Sequence, residues 1–240
     1  MDALHHYITD DPHALSFAAA TLVAGCLVLK CLLPPNANSK NEWKGDSFQS
    51  TAGMNFVGPV AAAITTTFVY HALVAVASPT ALPLVCPKRV ANPALFAWNS
   101  YTATILVVIL LFAPIRLGAY KHLGKNFTYS LAAPNRLVTD GVYAYVQHPS
   151  YTGFLFVIGS CMALFCRWDA GASCYMPDFA ARLIDAMPFS ALVTASAAVA
   201  GLAKIVRVRV SQEEAMLKEL FGDEWVNWNA RTARFIPGLF

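Results

Sequence analysis

The sequence predicts an all-α fold: a polytopic membrane helical bundle of about five transmembrane helices with a cytosolic C-terminal helical tail. Three observations predict it. Of the 240 residues, 57% are hydrophobic and 13% charged, whereas a soluble domain has about half and about a quarter. Mean hydropathy is +0.49, and the apolar residues gather in runs near the ~17–25 residues that cross a bilayer. These runs do not alternate in polarity at every second residue, so helices rather than barrel strands must satisfy the backbone in lipid.

In chain order, the runs are Ala14–Leu33, Asn55–Ala77, Phe96–Phe112, a short one at Gly153–Cys166 starting near Ser150, and Phe189–Val206. Between them, Pro34–Thr51 is polar and turn-rich, and Ser78–Pro93 holds Pro79, Pro83, Pro87 and Pro93; both read as connectors. Arg167–Met187 mixes Gly, Pro, Asp and Arg and is expected to be an irregular exposed loop. Pro114–Ser150 is long and only weakly apolar, and such loops are often functional. The chain divides on this reading into three N-terminal spans, residues 1–113, and a C-terminal part, residues 114–240, of loop, two spans and tail. In the tail, Leu217, Phe221, Trp225 and Trp228 recur at helical spacing, giving an apolar stripe that lies in the interface or packs back on the bundle. Gly222 and Asp223 end one helix and cap the next, and Pro237 marks a stop.

The formal net charge is only +3, but its distribution is informative. With five spans, Lys30, Lys40, Lys44, Arg116, Lys121, Lys125, Arg136 and the basic residues from Lys204 to Arg234 share one side. Only Lys88, Arg89, Arg167 and Arg182 lie on the other. Positive charge marks the cytosolic face, so the tail is expected in the cytosol. Basic side chains beside lipid head groups account for these charges, so the bilayer is the expected partner and nucleic acid is not. "MDALHHYITDDPH" has no basic n-region and "FIPGLF" no prenylation motif, so neither a cleaved leader nor a lipid anchor is expected. The six cysteines form no CxxC pair; they read as small buried apolar residues, with neither a disulfide framework nor a metal site. The sequon at Asn126 falls in a predicted cytosolic loop and should stay unmodified.

Two stretches carry chemistry. In "KIVRVRVSQEEAMLKELFG", Arg209 and Glu213 are four apart and share a helix face where a span leaves the bilayer. They present a cation and an anion to a polar ligand, or form a plain surface ion pair. Ser211 and Glu214 also fit a capping box, which would make Glu214 structural and leave Glu213 available. In "YAYVQHPSYTG", His148-Pro149 and three tyrosines stand at a span entrance. They read either as a turn with an aromatic belt or as a site, since ionisable residues at a membrane boundary are costly.

"LVTDGVYAYVQHPSYTGFLF", followed by "RVRVSQEEAMLKELFGDEWVNW" and "RFIPG", resembles the isoprenylcysteine carboxyl methyltransferase family, within a wider group that includes phospholipid N-methyltransferases. The resemblance covers roughly Arg116 to Phe240 and departs at Gln147, where the family usually has Arg. It implies methyl transfer from S-adenosylmethionine to the C-terminal carboxylate of a prenylated cysteine at the endoplasmic reticulum membrane, with the site facing the cytosol. By position it implies cofactor contacts from Asn135, Arg136, Leu137, Val138, Tyr143, His148, Pro149, Ser150, Tyr151 and Glu213, with Arg209 as the catalytic, substrate-facing residue. No GxGxxG turn is present, so the cofactor cradle must be built from helix ends and loops. The carboxylate nucleophile is already ionised at neutral pH and needs no general base. Competing readings are a phospholipid N-methyltransferase, whose protonated amine would require a base such as His148, and a non-catalytic membrane scaffold.

Overall fold

The computed structural model describes residues 7–33, 35–36, 43–46, 53–88, 92–128, 130–187 and 189–238. Lys40 and Arg89, used above for sidedness, lie outside the described residues, as do parts of both connectors. The elements in order are α1 (Pro12–Leu32), α2 (Gly53–Val76), α3 (Leu82–Val85), α4 (Ser100–Leu123), α5 (Pro149–Phe165), α6 (Asp178–Asp185), α7 (Ser190–Phe221) and α8 (Asp223–Asn229), with short 3-10 turns between them. Isolated β-bridges are the only extended pairing among the described residues.

Among the described residues, four helices are long and apolar enough to cross a membrane: Pro12–Leu32, Gly58–Val76 within α2, α4 with the 3-10 turn to Asn126, and α7. The fifth predicted span, α5, is apolar but has 17 residues, so at about 1.5 Å per residue it covers about 25 Å, just short of a typical ~30 Å hydrocarbon core. The opposite holds for α7. Its 32 residues make about 48 Å, so one end must project beyond the hydrocarbon. Two sequence boundaries move accordingly. Helix α4 continues to Leu123, well past Phe112, and the last span runs unbroken to Phe221 instead of ending near Val206.

That continuity overturns the proposed capping box. Ser211 lies in the middle of α7, where its backbone already has helical partners, so no N-cap exists there. The break does come at Gly222, which has a φ of 49°, and Asp223 opens α8. The Arg167–Met187 segment is also more ordered than expected, holding a 3-10 turn at Gly171–Tyr175 and helix α6.

The chain forms two compact units. The first comprises Met1–Val28, Ala62–Leu110 and Ile158–Gly201; the second Leu29–Ala61, Leu111–Val157 and Leu202–Phe240. In the first, His71 is buried at 1% exposure, stacked on Phe96 and packed near Phe17 and Phe165, with Nε2 bonded to the Leu95 carbonyl at 2.9 Å. Arg167 donates twice to Asp169, at 2.8 and 2.7 Å, and Asn92 donates to the same carboxylate at 2.9 Å. Burial favours the neutral acid, but these donors hold the Asp169 carboxyl below its ordinary value. Cys86 and Cys174 form a disulfide. This corrects the expectation that no cysteines pair; 88 residues separate them, and no local spacing pattern announces so distant a bond.

The second unit has its own core. Ala119, Leu131, Leu137, Val138, Tyr143, Met216, Leu217, Trp225 and Trp228 are buried together, with Phe221 packed against them. The tail stripe therefore folds back on the bundle, burying two tryptophans and donating from Trp228 Nε1 to the Tyr143 carbonyl at 2.8 Å.

Candidate active site

The site is built entirely within the second unit, from the end of α4, the chain leading into α5, and the projecting end of α7. The entrance to α5 is fixed first. A Cβ on Gly153 would lie 2.7 Å from Arg116 Cβ and 3.0 Å from the Phe112 carbonyl, so only glycine lets α5 approach α4 this closely. Arg116 is buried there, donating to the Cys31 carbonyl at 2.7 Å and to the Ser150 carbonyl and hydroxyl at 2.9 and 3.0 Å. Its guanidinium lies over the rings of Tyr120 and Phe154, 4.8 and 4.6 Å from their centroids.

The tail closes over the same entrance by backbone pairing. Gln147 and His148 amides donate to the Ala233 and Arg234 carbonyls at 2.8 and 3.0 Å, and the Ala233 amide donates to Tyr145 at 3.0 Å. Gln147 is buried, and its side-chain amide donates to the Thr232 carbonyl at 2.9 Å and to Asn229 at 3.2 Å. Gln147 thus acts as a neutral staple for the tail. Glu214 accepts two hydrogen bonds from Arg234, at 2.7 and 2.6 Å, and pairs with His148 Nε2 at 3.1 Å. Glu214 is structural after all, through tertiary bonds rather than a helix cap. With Nε2 engaged by Glu214, Nδ1 is the ring's other polar atom.

These elements enclose a cavity of about 230 Å³. Arg136, Leu137, Val138, Tyr143, His148, Ser150, Tyr151, Arg209 and Glu213 line it, with Arg116, Gln147, Phe154 and Trp228. The two clusters singled out in the sequence therefore converge. Of the residues expected at the cofactor, Asn135 is exposed and Pro149 opens α5; neither lines the cavity. Arg116 lines it although its sequence position suggested only a sidedness charge. Only the continuation of α4 to Leu123 puts Arg116 inside an apolar helix, where an arginine is itself a site signal.

Chemically, the lining is apolar with a few polar groups aimed inward. On one face of α7, Glu213 accepts from the Tyr151 hydroxyl at 2.7 Å. One turn earlier, Arg209 pairs with Asp46, a residue the sequence did not single out. Tyr143 Oη and His148 Nδ1 are buried with no hydrogen-bond partner among the described residues. Burial, reinforced by the charge of Glu213, pushes the Tyr143 hydroxyl far above its ordinary value, so it stays a neutral donor. Buried polar atoms are costly unless satisfied, and two of them on one cavity wall suit a polar ligand.

Residues 103–184 match the sequence model of the isoprenylcysteine carboxyl methyltransferase family. The chain is 29% identical over 146 residues to a protein-S-isoprenylcysteine O-methyltransferase of Schizosaccharomyces pombe, covering 59% of this chain and 52% of that one. It is 28% identical over 136 residues to protein-S-isoprenylcysteine O-methyltransferase B of Arabidopsis thaliana, covering 55% and 57%, respectively. A Mus musculus protein-S-isoprenylcysteine O-methyltransferase is 25% identical over 140 residues, covering 57% of this chain and 41% of its own. The chain spans about half the length of the curated relatives it matches. Over this matched segment, which contains the His148-Pro149-Ser150-Tyr151 entrance to α5, the chain is similar to the isoprenylcysteine carboxyl methyltransferase family.

Proposed function

We propose that this chain transfers a methyl group from S-adenosylmethionine to the C-terminal carboxylate of a prenylated cysteine. The observation that carries the reading is that the mouth of α5 and the charged face of α7 line one cavity. The relatives' names, which concern prenylcysteine O-methyl transfer, point the same way.

The residues suit the cofactor. Glu213 offers a carboxylate to its positive groups, the tyrosine rings offer π faces to them, and Tyr143 Oη and His148 Nδ1 offer two further polar contacts. Arg136, Leu137, Val138, Ser150 and Tyr151 complete the binding wall, and the exposed Asn135 and the helix-opening Pro149 act only by shaping the chain around it. When bound, S-adenosylmethionine supplies a methyl group on a positively charged sulfur. Arg209 holds the acceptor carboxylate by charge-assisted hydrogen bonds and orients its oxygen toward that methyl. The nucleophile arrives ionised, so no general base is needed. The apolar lining and the tail over the entrance exclude water. A cavity of about 230 Å³ lies below the ~300–1,000 Å³ of common small-molecule sites, so the prenyl chain is accommodated outside it, along lipid-facing helix surfaces.

The protein is multi-pass, and we place it in the endoplasmic reticulum membrane with this site facing the cytosol. Two features support that sidedness. Basic residues concentrate on the loops that share a side with the tail. The Cys86–Cys174 disulfide joins the two loops assigned by span alternation to the other side, where an oxidising lumen maintains such bonds.

The test is label transfer by purified protein in bilayers holding phosphatidylethanolamine and a farnesylcysteine analogue. Base-labile methyl ester on the farnesylcysteine is expected. Label confined to phosphatidylethanolamine derivatives would assign the protein to phospholipid N-methylation, and no label in either would leave a scaffold.

A further inference from the structure

Resting on that function, we infer that Asp46 is a positioning residue for the acceptor carboxylate, acting through Arg209. The observation starts in a polar loop. Trp43 to Asp46 form a tight turn, with the Asp46 amide donating to the Trp43 carbonyl at 3.2 Å. Gly45 permits it, since a Cβ there would fall 2.1 Å from the Trp43 ring. The turn is tied down by the Trp43 amide on the Leu131 carbonyl at 2.8 Å and by Trp43 Nε1 on Glu219 at 3.3 Å. It delivers the Asp46 carboxylate, whose side chain is 0% exposed, against the Arg209 guanidinium.

A carboxylate against the arginine that is to bind a carboxylate has two readings. It is a stand-in that the substrate displaces, or a post that fixes the guanidinium while another edge meets the substrate. The second oxygen decides between them. Asp46 Oδ2 accepts the Leu131 amide at 2.8 Å while Oδ1 pairs with Arg209 Nη1. Displacement would strand a buried amide and a buried carboxylate together, which is costly. Arg209 lines the cavity and also interacts with Tyr151 there, and a guanidinium's five donors in a planar fork can hold Asp46 and Tyr151 while meeting a second carboxylate. Asp46 therefore acts as a post. By setting the angle of Arg209, it sets where the acceptor carboxylate sits relative to the cofactor.

Asp46→Asn tests this with little change in shape: the amide oxygen still accepts from Leu131, but the charge that orients Arg209 is gone. In the full chain in bilayers, KM for a farnesylcysteine analogue should rise about tenfold, while S-adenosylmethionine affinity by calorimetry stays within about twofold. In an Arg209→Lys background the same change should raise KM less than about threefold, because the planar fork that Asp46 orients is already lost. A lower KM in Asp46→Asn would establish the displaced stand-in and overturn the inference. So would an unchanged KM with only less folded protein, which marks a structural role. Wild-type protein that binds the cofactor but never methylates the analogue overturns the function itself, and the inference with it. An active wild type with an unaltered KM in the variant overturns the inference alone.

Discussion

The two compact units treat buried polarity in opposite ways. In the first, charges are closed off: Arg167, Asp169 and Asn92 spend their donors and acceptors on one another, His71 sits bonded to Leu95 in an aromatic box, and a disulfide joins Cys86 to Cys174. In the second, a chain of polar contacts runs along a cavity wall, Asp46 to Arg209 and Tyr151 to Glu213, and Tyr143 Oη and His148 Nδ1 end there without hydrogen-bond partners among the described residues. A self-satisfied polar cluster stabilises; one left short of partners is poised for a ligand. Function should therefore track the second unit, and the first should respond mainly in stability.

The harshest way to break that contrast is truncation after Val210, which removes Glu213, Glu214 and both core tryptophans of the tail. Methyl transfer and cofactor binding should vanish, while thiol labelling shows Cys86 and Cys174 still paired. Retained activity would remove the tail from the site. Arg209→Ala comes next. It should raise the acceptor KM by tenfold or more, about 1.4 kcal/mol or above, and change cofactor affinity much less. A larger effect on the cofactor in a two-substrate titration would show that Arg209 and Glu213 have each other's roles.

The helices were legible because span length and apolar run length are local quantities, and α1, α2, α4, α5 and α7 follow from them, whereas the short α6 does not. The converging motifs were legible too, since Arg209 and Glu213 fall on one helix face wherever that helix happens to stop. What escaped depends on partners far away in the chain. Asp46, in a loop rich in turn formers, looks like any solvated acid until Arg209 and Leu131 are placed around it. The Ser211 capping pattern was misleading because a cap needs an uncommitted helix start, and α7 arrives there already formed. Cys86 and Cys174 carried no spacing signal at all.

Smaller effects sharpen the other half of the comparison. Cys86→Ser opens an 88-residue separation and should cost about 2–5 kcal/mol of stability, read as a lower thermal midpoint, with kcat and both KM values unchanged. Smallest is a pH effect. Because the folded Asp169 carboxyl titrates below its unfolded value, its contribution is fully present above the ordinary carboxylate pKa and is lost as pH falls through the lower folded one. Asp169→Asn should therefore lower the thermal midpoint at neutral pH and flatten its fall on acidification, without altering methyl transfer at neutral pH. An unchanged acid profile would mean that this ion pair is energetically silent.

The central claim is that α7 and the entrance to α5 hold one cofactor between them. Calorimetric titration of S-adenosylmethionine into the full chain and into Glu213→Ala, both shown folded by their thermal transitions, tests it most directly. Saturable heat is expected from the wild type, with affinity at least about a hundredfold weaker in the variant. Equal affinities in the two proteins would contradict the account.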